Sequence, residues 1–172
     1  MPHRRTLLLA PVLALGLAAA PASAQQPGLI PTVSKIGFTG IGAFKTGMTP
    51  KEADRAAGTV YYTRSRVGAC LYFDFGPPNT GQGPYLRFHN KRLRYVDTGR
   101  DQFATKKGVE VGDKVREVRR KYKHLHRRVD LGGGYELVKR RGDYRLIFTI
   151  VNKRVSRIAG GQAPWVLQQE CV

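Results

Sequence analysis

The 172-residue chain contains only two cysteines, two methionines, one tryptophan and four histidines. Two cysteines exclude a disulfide-dense scaffold and a four-thiolate zinc site, and leave room for one bridge. Acidic residues are scarce: twelve Asp and Glu stand against thirty Lys and Arg, for a formal charge of +18 and a pI near 10.5. Carboxylates this few and this scattered give little basis for a paired-carboxylate hydrolase. Gly-x-Ser-x-Gly, His-Glu-x-x-His, the P-loop and the dinucleotide fingerprint are all missing. The familiar motif-borne routes to catalysis are therefore lacking, and the chain reads as a non-enzymatic protein without a cofactor. Beyond residue 20 no apolar run approaches the roughly 20 residues that a spanning helix needs.

What is present begins with residues 1–24. Arg4 and Arg5 precede an uncharged apolar stretch of about 14 residues, from Leu7 to Ala20, and Ala22-Ser23-Ala24 follows it. A basic start, a short apolar stretch and small residues make a signal peptide cleaved after Ala24. The chain from Gln25 is thus expected to be exported, secreted or held at the cell envelope, with no integral membrane segment. Its charge would be +18 less the two leader arginines, or +16. In an oxidising compartment Cys70 and Cys171 are expected to pair. The bridge would close a loop of about 100 residues, worth roughly 4–5 kcal/mol in a chain-entropy treatment. Residues 25–36 read as a flexible leader.

Two segments correspond in the remainder. Residues 43–58 carry Phe44, Gly47, Thr49, Glu52, Ala53 and Ala57; residues 108–123 carry Val109, Gly112, Lys114, Glu117, Val118 and Tyr122 at matching places. Each is an apolar residue, a glycine turn and a short amphipathic helix. Further on, Asn90-Lys91-Arg92-Leu93 matches Asn152-Lys153-Arg154-Val155, each between alternating apolar runs, as hairpin turns are. The reading is a first repeat unit at 37–100 and a second at 101–172.

Thr49 is placed to cap the first helix, with Pro50 at its first position, Glu52 or Asp54 in its first turn and Gly58 at its stop. Asp113 is expected to cap the second, where Val115, Val118 and Tyr122 share a face. Strands are predicted at 60–63, 69–75, 85–89, 93–97, 135–139, 144–151 and 154–159, with loops at 76–83, 132–134 and 141–143. Arg141-Gly142-Asp143 reads as a polar hairpin turn rather than an adhesion tripeptide. Alternation puts Leu71, Phe73, Phe75, Leu86, Phe88, Leu146, Phe148 and Ile150 on a face that packs on the helices. Tyr72, Asp74, Tyr85, Arg87, His89, Arg145, Ile147 and Thr149 fall on the other, which is expected to be solvated. The predicted fold is α+β: two tandem helix-plus-antiparallel-sheet repeats packed side by side.

The run Gly47-Met48-Thr49-Pro50-Lys51-Glu52-Ala53, after Ile41-Gly42-Ala43-Phe44, resembles the helix-start motif of the β-lactamase-inhibitor-protein-like and SmpA/OmlA-like superfold. Tandem versions occur in exported actinobacterial proteins of unknown role. Those often show a Thr-Lys-x-Gly-x-x-x-Gly segment, as from Thr105 to Gly112 here, and tend to end in Glu-Gly-Cys, where this chain has Gln169-Glu170-Cys171. The resemblance spans roughly residues 37–171. It implies two helix-plus-sheet repeats forming a concave sheet surface, and a role in binding proteins, inhibiting enzymes or assisting envelope assembly. Glu170 in place of glycine and the basic surface depart from the pattern.

Charge supplies the remaining functional signal. Basic residues cluster at Lys91-Arg92-Leu93-Arg94, at 116–128, at Lys139-Arg140-Arg141, and at Lys153-Arg154 with Arg157. With the units side by side, the two equivalent hairpins would join into one positive surface that attracts polyanions and anionic membranes. Tyr72, Tyr85 and Tyr95 offer stacking faces for single strands, but export argues against nucleic acid. His124 and His126 have strand-face spacing for a metal, yet Lys121, Lys123, Arg127 and Arg128 repel a divalent cation, so no metal is expected. Trp165 is expected in the core. The expected function is recognition of an extracellular protein partner through the solvated sheet face, by Tyr72, Arg87, His89, Arg94 and Arg145. The alternative is electrostatic binding of an anionic envelope polymer or membrane surface by Lys91, Arg92, Lys139, Arg140, Arg141, Lys153 and Arg154.

Overall fold

A computed structural model of the chain describes residues 34–58, 63–75, 84–129 and 133–168. It opens with three two-residue strands, β1 (Ile36–Gly37), β2 (Gly40–Ile41) and β3 (Phe44–Lys45), which form a small antiparallel sheet. Next come helix α1 (Pro50–Ala57) and the strands β4 (Thr63–Val67), β5 (Cys70–Asp74), β6 (Tyr85–His89) and β7 (Arg92–Thr98). Helix α2 (Val115–Lys121) is followed by β8 (His126–Val129), β9 (Tyr135–Arg141), β10 (Tyr144–Val151) and β11 (Arg154–Gln162), and a last turn of helix, α3 (Trp165–Gln168), closes the described chain. The eight longer strands make one sheet in the order β4-β5-β6-β7-β11-β10-β9-β8, antiparallel throughout. Among the described residues no helix is long and apolar enough to cross a membrane.

This architecture overturns the expected α+β arrangement of two helix-plus-sheet repeats side by side. Strands dominate, and the helices have only 8, 7 and 4 residues. The strands of both halves belong to one sheet, because β7 pairs directly with β11, Tyr95 opposite Gly161 and Thr98 opposite Ile158. The capping signals that mark α1 and α2 fix where a helix begins, not how much of the core it covers. In α1 only Ala53 and Ala57 are buried, and in α2 only Val118. The three-stranded sheet occupies ground that the sequence reading gave to a leader and a glycine turn; Ile36 is fully buried.

Local chemistry explains the elements. Thr49 Oγ1 accepts from the Glu52 amide, and the Glu52 carboxylate accepts from the Thr49 amide at 2.7 Å, a reciprocal capping box. That backbone N–H holds the Glu52 carboxyl below the usual carboxylate range. The second helix starts differently from expectation. Its N-cap is Lys114, with no side-chain bond, while Asp113 accepts from the Glu110 amide. The reason is the neighbouring strand: Val155 N donates to Asp113 O and Val115 N to Lys153 O, which holds residues 113–115 extended against the hairpin.

The two hairpins matched in the sequence are built alike. Asn90-Lys91 and Asn152-Lys153 all have φ between 49° and 61°, as the tight turn of a two-residue hairpin requires. Gly47 N donates to Leu93 O and Gly112 N to Val155 O. Arg92 and Arg154 then donate to the carbonyls of Gly47 and Gly112, at 3.0 and 2.8 Å.

The inner face of the large sheet carries the main core. Phe73, Leu86, Phe88, Leu137, Leu146, Phe148 and Ile150 meet Ile36, Ile41 and Phe44 of the small sheet and the helix residues Ala53 and Val118. Gly160 permits this docking: a Cβ there would lie 1.8 Å from the Gly37 carbonyl oxygen, the close backbone approach that a strand glycine often marks. The outer face was expected to be solvated, but its middle is covered. Val166 of α3, with Trp165 and Leu167, packs on Tyr95, Val138, Ile147 and Ala159.

Candidate functional site

The register lays one row of side chains across the outer face: Ser65, Tyr72, Arg87, Tyr95, Gly161, Arg145 and Arg140 face one another strand by strand. The adjoining row holds Asp74, Tyr85, Asp97 and Ala159. Arg87 is the hub. Its Nε donates to Asp97 Oδ2 at 3.0 Å, and its guanidinium lies over the rings of Tyr72, Tyr95 and Tyr85 at 5.2, 5.3 and 5.6 Å. Arg157 reaches the other oxygen of the same carboxylate at 3.3 Å. Asp97 is 1% exposed, so a fully desolvated carboxylate binds two cations. Burial works against the Arg87 charge, but the attraction of Asp97 leaves its pKa above the ordinary guanidinium value. Burial, reinforced by Asp74 and Asp97, raises the Tyr85 phenol.

A second cluster adjoins the first. In β7 the register steps between Tyr95 and Leu93, so Arg94 is the extra residue of a bulge. Its guanidinium donates to Gln162 Oε1 at 3.0 Å and lies 5.8 Å from the Trp165 ring centre. His89 stacks on the same indole, with ring centres 3.9 Å apart. His89 Nδ1 and Arg94 Nε are shielded from solvent and have no hydrogen-bond partner among the described residues.

The structure thus brings together four of the five residues expected to face a partner: Tyr72, Arg87, His89 and Arg94. Arg145 stands apart. Three strand spacings of about 4.8 Å separate β6 from β10, and Arg145 binds the carbonyls of Gly142 and Tyr144 in its own hairpin. Sequence reasoning missed Asp97 and Arg157 as the anchors of Arg87. Asp97 was findable, since alternation along β7 puts it on the same face as Tyr95. Trp165 is half-buried against His89 rather than lost in the core, and no local pattern signals that stack.

The basic residues do not converge as expected. Because β7 and β11 run antiparallel, their hairpins point opposite ways. Lys91 and Arg92 share one end of the sheet with Arg140 and Arg141, while Lys153 and Arg154 lie at the other. Seven residues separate Gly161, opposite Tyr95, from Arg154, about 20 Å at strand rise. Arg92 and Arg154 are tied to glycine carbonyls, and Lys139 donates to Lys123 O at 2.7 Å. His126 lies exposed on β8 opposite Val138, and His124 is exposed in the turn before it. Among the described residues no three His, Cys, Asp or Glu side chains gather as metal ligands would. Cys70 is buried at the start of β5 and is not a free thiol; Cys171 lies outside the described residues.

No family model and no curated protein matches the chain. Among solved structures it is similar to the uncharacterized protein yfeY from Escherichia coli, with 11% identity over 74% of this chain and 99% of that one, at a TM-score of 0.48. It is also similar to an extracellular protein containing an SCP domain from Bacillus anthracis str. Ames, with 8% identity over 87% of this chain and a TM-score of 0.54. The second likeness is one of fold, and this chain spans about half the length of that protein, 52%. Neither is named as a member of the superfold that the Gly47–Ala53 run resembles.

Proposed function

We propose that this is an exported, non-enzymatic binding protein that docks a protein partner on the outer face of β5, β6 and β7, beside α3. The observation that carries the reading is the fixed cluster in which Arg87 is held by buried Asp97 among three tyrosines, of which Tyr72 and Tyr85 are partly exposed, next to the Arg94–Trp165–His89 stack. Tyr, Trp and Arg are the residue types that most often carry binding energy at protein interfaces. Side chains already immobilised lose little freedom on association. Asp97 and Asp74 offset local positive charge, so this face favours a shaped protein surface over a generic polyanion. Cleavage after Ala24 and a Cys70–Cys171 bridge belong to the same reading, and the SCP-domain protein that shares the fold is itself extracellular. The electrostatic alternative rests on the basic end where Lys91 and Arg140 are exposed.

The test uses the oxidised protein from Gln25 as bait for secreted and envelope proteins of its own organism, at low and high salt. The reading expects a partner retained at high salt by the wild type and lost by a Tyr72→Ala/Tyr85→Ala variant. Capture that vanishes at high salt, as counterion-driven binding does, or that survives in the variant, overturns it in favour of the electrostatic alternative or neither.

A further inference from the structure

We propose a separate binding site for a small phosphate-bearing organic anion on the opposite side of the molecule, between the three-stranded sheet and the inner face of β9 and β10. A cavity of about 330 Å³ lies there, within the size range of small-ligand sites. Its rim carries Lys35, Lys45, Lys106, Lys107 and Arg141, and its walls include the rings of Phe38 and Tyr122. Among the described residues no acidic side chain lines it.

The charge there is not matched by carboxylates. Elsewhere arginines meet carboxylates: Arg87 and Arg157 at Asp97, Arg120 at Glu117, Arg128 at Glu136. None of the five cations at the cavity forms an ion pair with a carboxylate among the described residues. Lys45 donates to the Gly42 carbonyl, and Lys107 to that of Lys121 at 2.9 Å. Lys107 also lies 5.2 Å from the Tyr122 ring centre, and Arg141 5.8 Å from that of Phe38. Five like charges around one opening repel one another, and an anion of more than one unit charge relieves that repulsion. The Arg141 fork suits the paired oxygens of a phosphate, and the lysines add point charges. The two rings then flank an apolar or aromatic body attached to the phosphate. By contrast, the larger depression beside α1 is lined by Gly47, Met48, Glu52, Arg55, Ala56 and Arg92, where Glu52 and Arg92 are already committed to Thr49 and Gly47.

The experiment is calorimetric titration of the oxidised protein at constant ionic strength with phenyl phosphate, inorganic phosphate and benzyl alcohol. The expected result is one site for phenyl phosphate, at least tenfold tighter than inorganic phosphate, and no binding of the alcohol. Lys106→Gln/Arg141→Gln should weaken phenyl phosphate at least tenfold. Lys91→Gln/Lys153→Gln removes the same charge at residues that do not line the cavity and should stay within twofold of wild type. Phosphatidylglycerol and phosphatidylcholine vesicles identify the source of the phosphate. Capture by the first alone, displaced by phenyl phosphate, assigns a lipid headgroup; no capture by either assigns a free phosphate ester. Equal weakening in both double variants, or absence of phosphate binding, overturns the proposal. Tyr72→Ala/Tyr85→Ala leaves this binding unchanged, so failure of the outer-face reading does not register here.

Discussion

Asp97→Ala tests whether the Arg87 network holds the outer face together. The carboxylate is 1% exposed and contacts Arg87 Nε at 3.0 Å and Arg157 Nε at 3.3 Å. Two unit charges about 4 Å apart attract by about 4 kcal/mol at an effective dielectric of about 20. Desolvation of the carboxylate and repulsion between the two arginines offset much of that doubled attraction. Removing the anion leaves Arg87 charged and largely buried, and orphaning one member of a buried pair costs about 3–5 kcal/mol. For a chain of this size, each kcal/mol is worth about 2–4 °C in melting temperature, so Tm should fall by about 10 °C. Urea unfolding followed by the fluorescence of Trp165 is the assay, with 0.5 M salt as a control that should change little, since buried pairs are poorly screened. Arg87→Met combined with Asp97→Ala should be less harmful than the two single effects added, by at least about 1 kcal/mol. A loss below about 1 kcal/mol for Asp97→Ala, or strict additivity in the double variant, would refute the argument.

Three other outcomes follow from the packing. Gly160→Ala should lift β1 off β11, lowering stability by about 2 kcal/mol or more and weakening phenyl phosphate binding, because β1 and β2 line the cavity. Burial, opposed by Arg87 and reinforced by Asp97, raises the Tyr95 phenol far above its ordinary value of 10.0. The folded state therefore keeps that proton, and the associated stability is complete below pH 10 and declines as pH rises further. Tyr95→Phe, which cannot ionise, should move the alkaline unfolding midpoint upward, as read from absorbance near 295 nm. Reduction, or Cys70→Ala with Cys171→Ala, should lower stability by roughly 4–5 kcal/mol, and non-reducing peptide mapping should recover the two cysteines in one linked peptide pair.

Strands of the large sheet were legible where alternation is strong. β6 and β10 have the bounds expected of them, and Leu86, Phe88, Leu146, Phe148 and Ile150 are buried on the inner face as their period of two requires. β1, β2 and β3 have two residues each, too short for any period to show. β8 is exposed along its whole length, so it lacks the apolar alternation by which a strand is recognised, and its basic residues read as loop. The union of the two halves depends on the pairing of β7 with β11, a contact between residues sixty or more apart in sequence; the Gly160-Gly161 pair was its one local trace. At the site, alternation was enough to put Tyr72, Arg87 and His89 on a common face. It gave no warning that α3 would return to cover the neighbouring strands, because that depends on docking rather than on local pattern.

Among the described residues the large sheet does not close on itself. It ends at β4 on one side and at β8 on the other, and both strands are exposed from first residue to last. An open strand offers unpaired amides and carbonyls to any other extended chain, which is how sheets propagate into fibres. Here each border carries an arginine with no carboxylate partner among the described residues, Arg66 on one and Arg127 on the other, beside Arg64 and Arg128, which are paired to Asp54 and Glu136. Two copies meeting border to border bring like charges face to face, whichever borders meet. Arginines at both borders therefore disfavour propagation of the sheet from copy to copy, and a strand with carboxylates of its own would suit either border better.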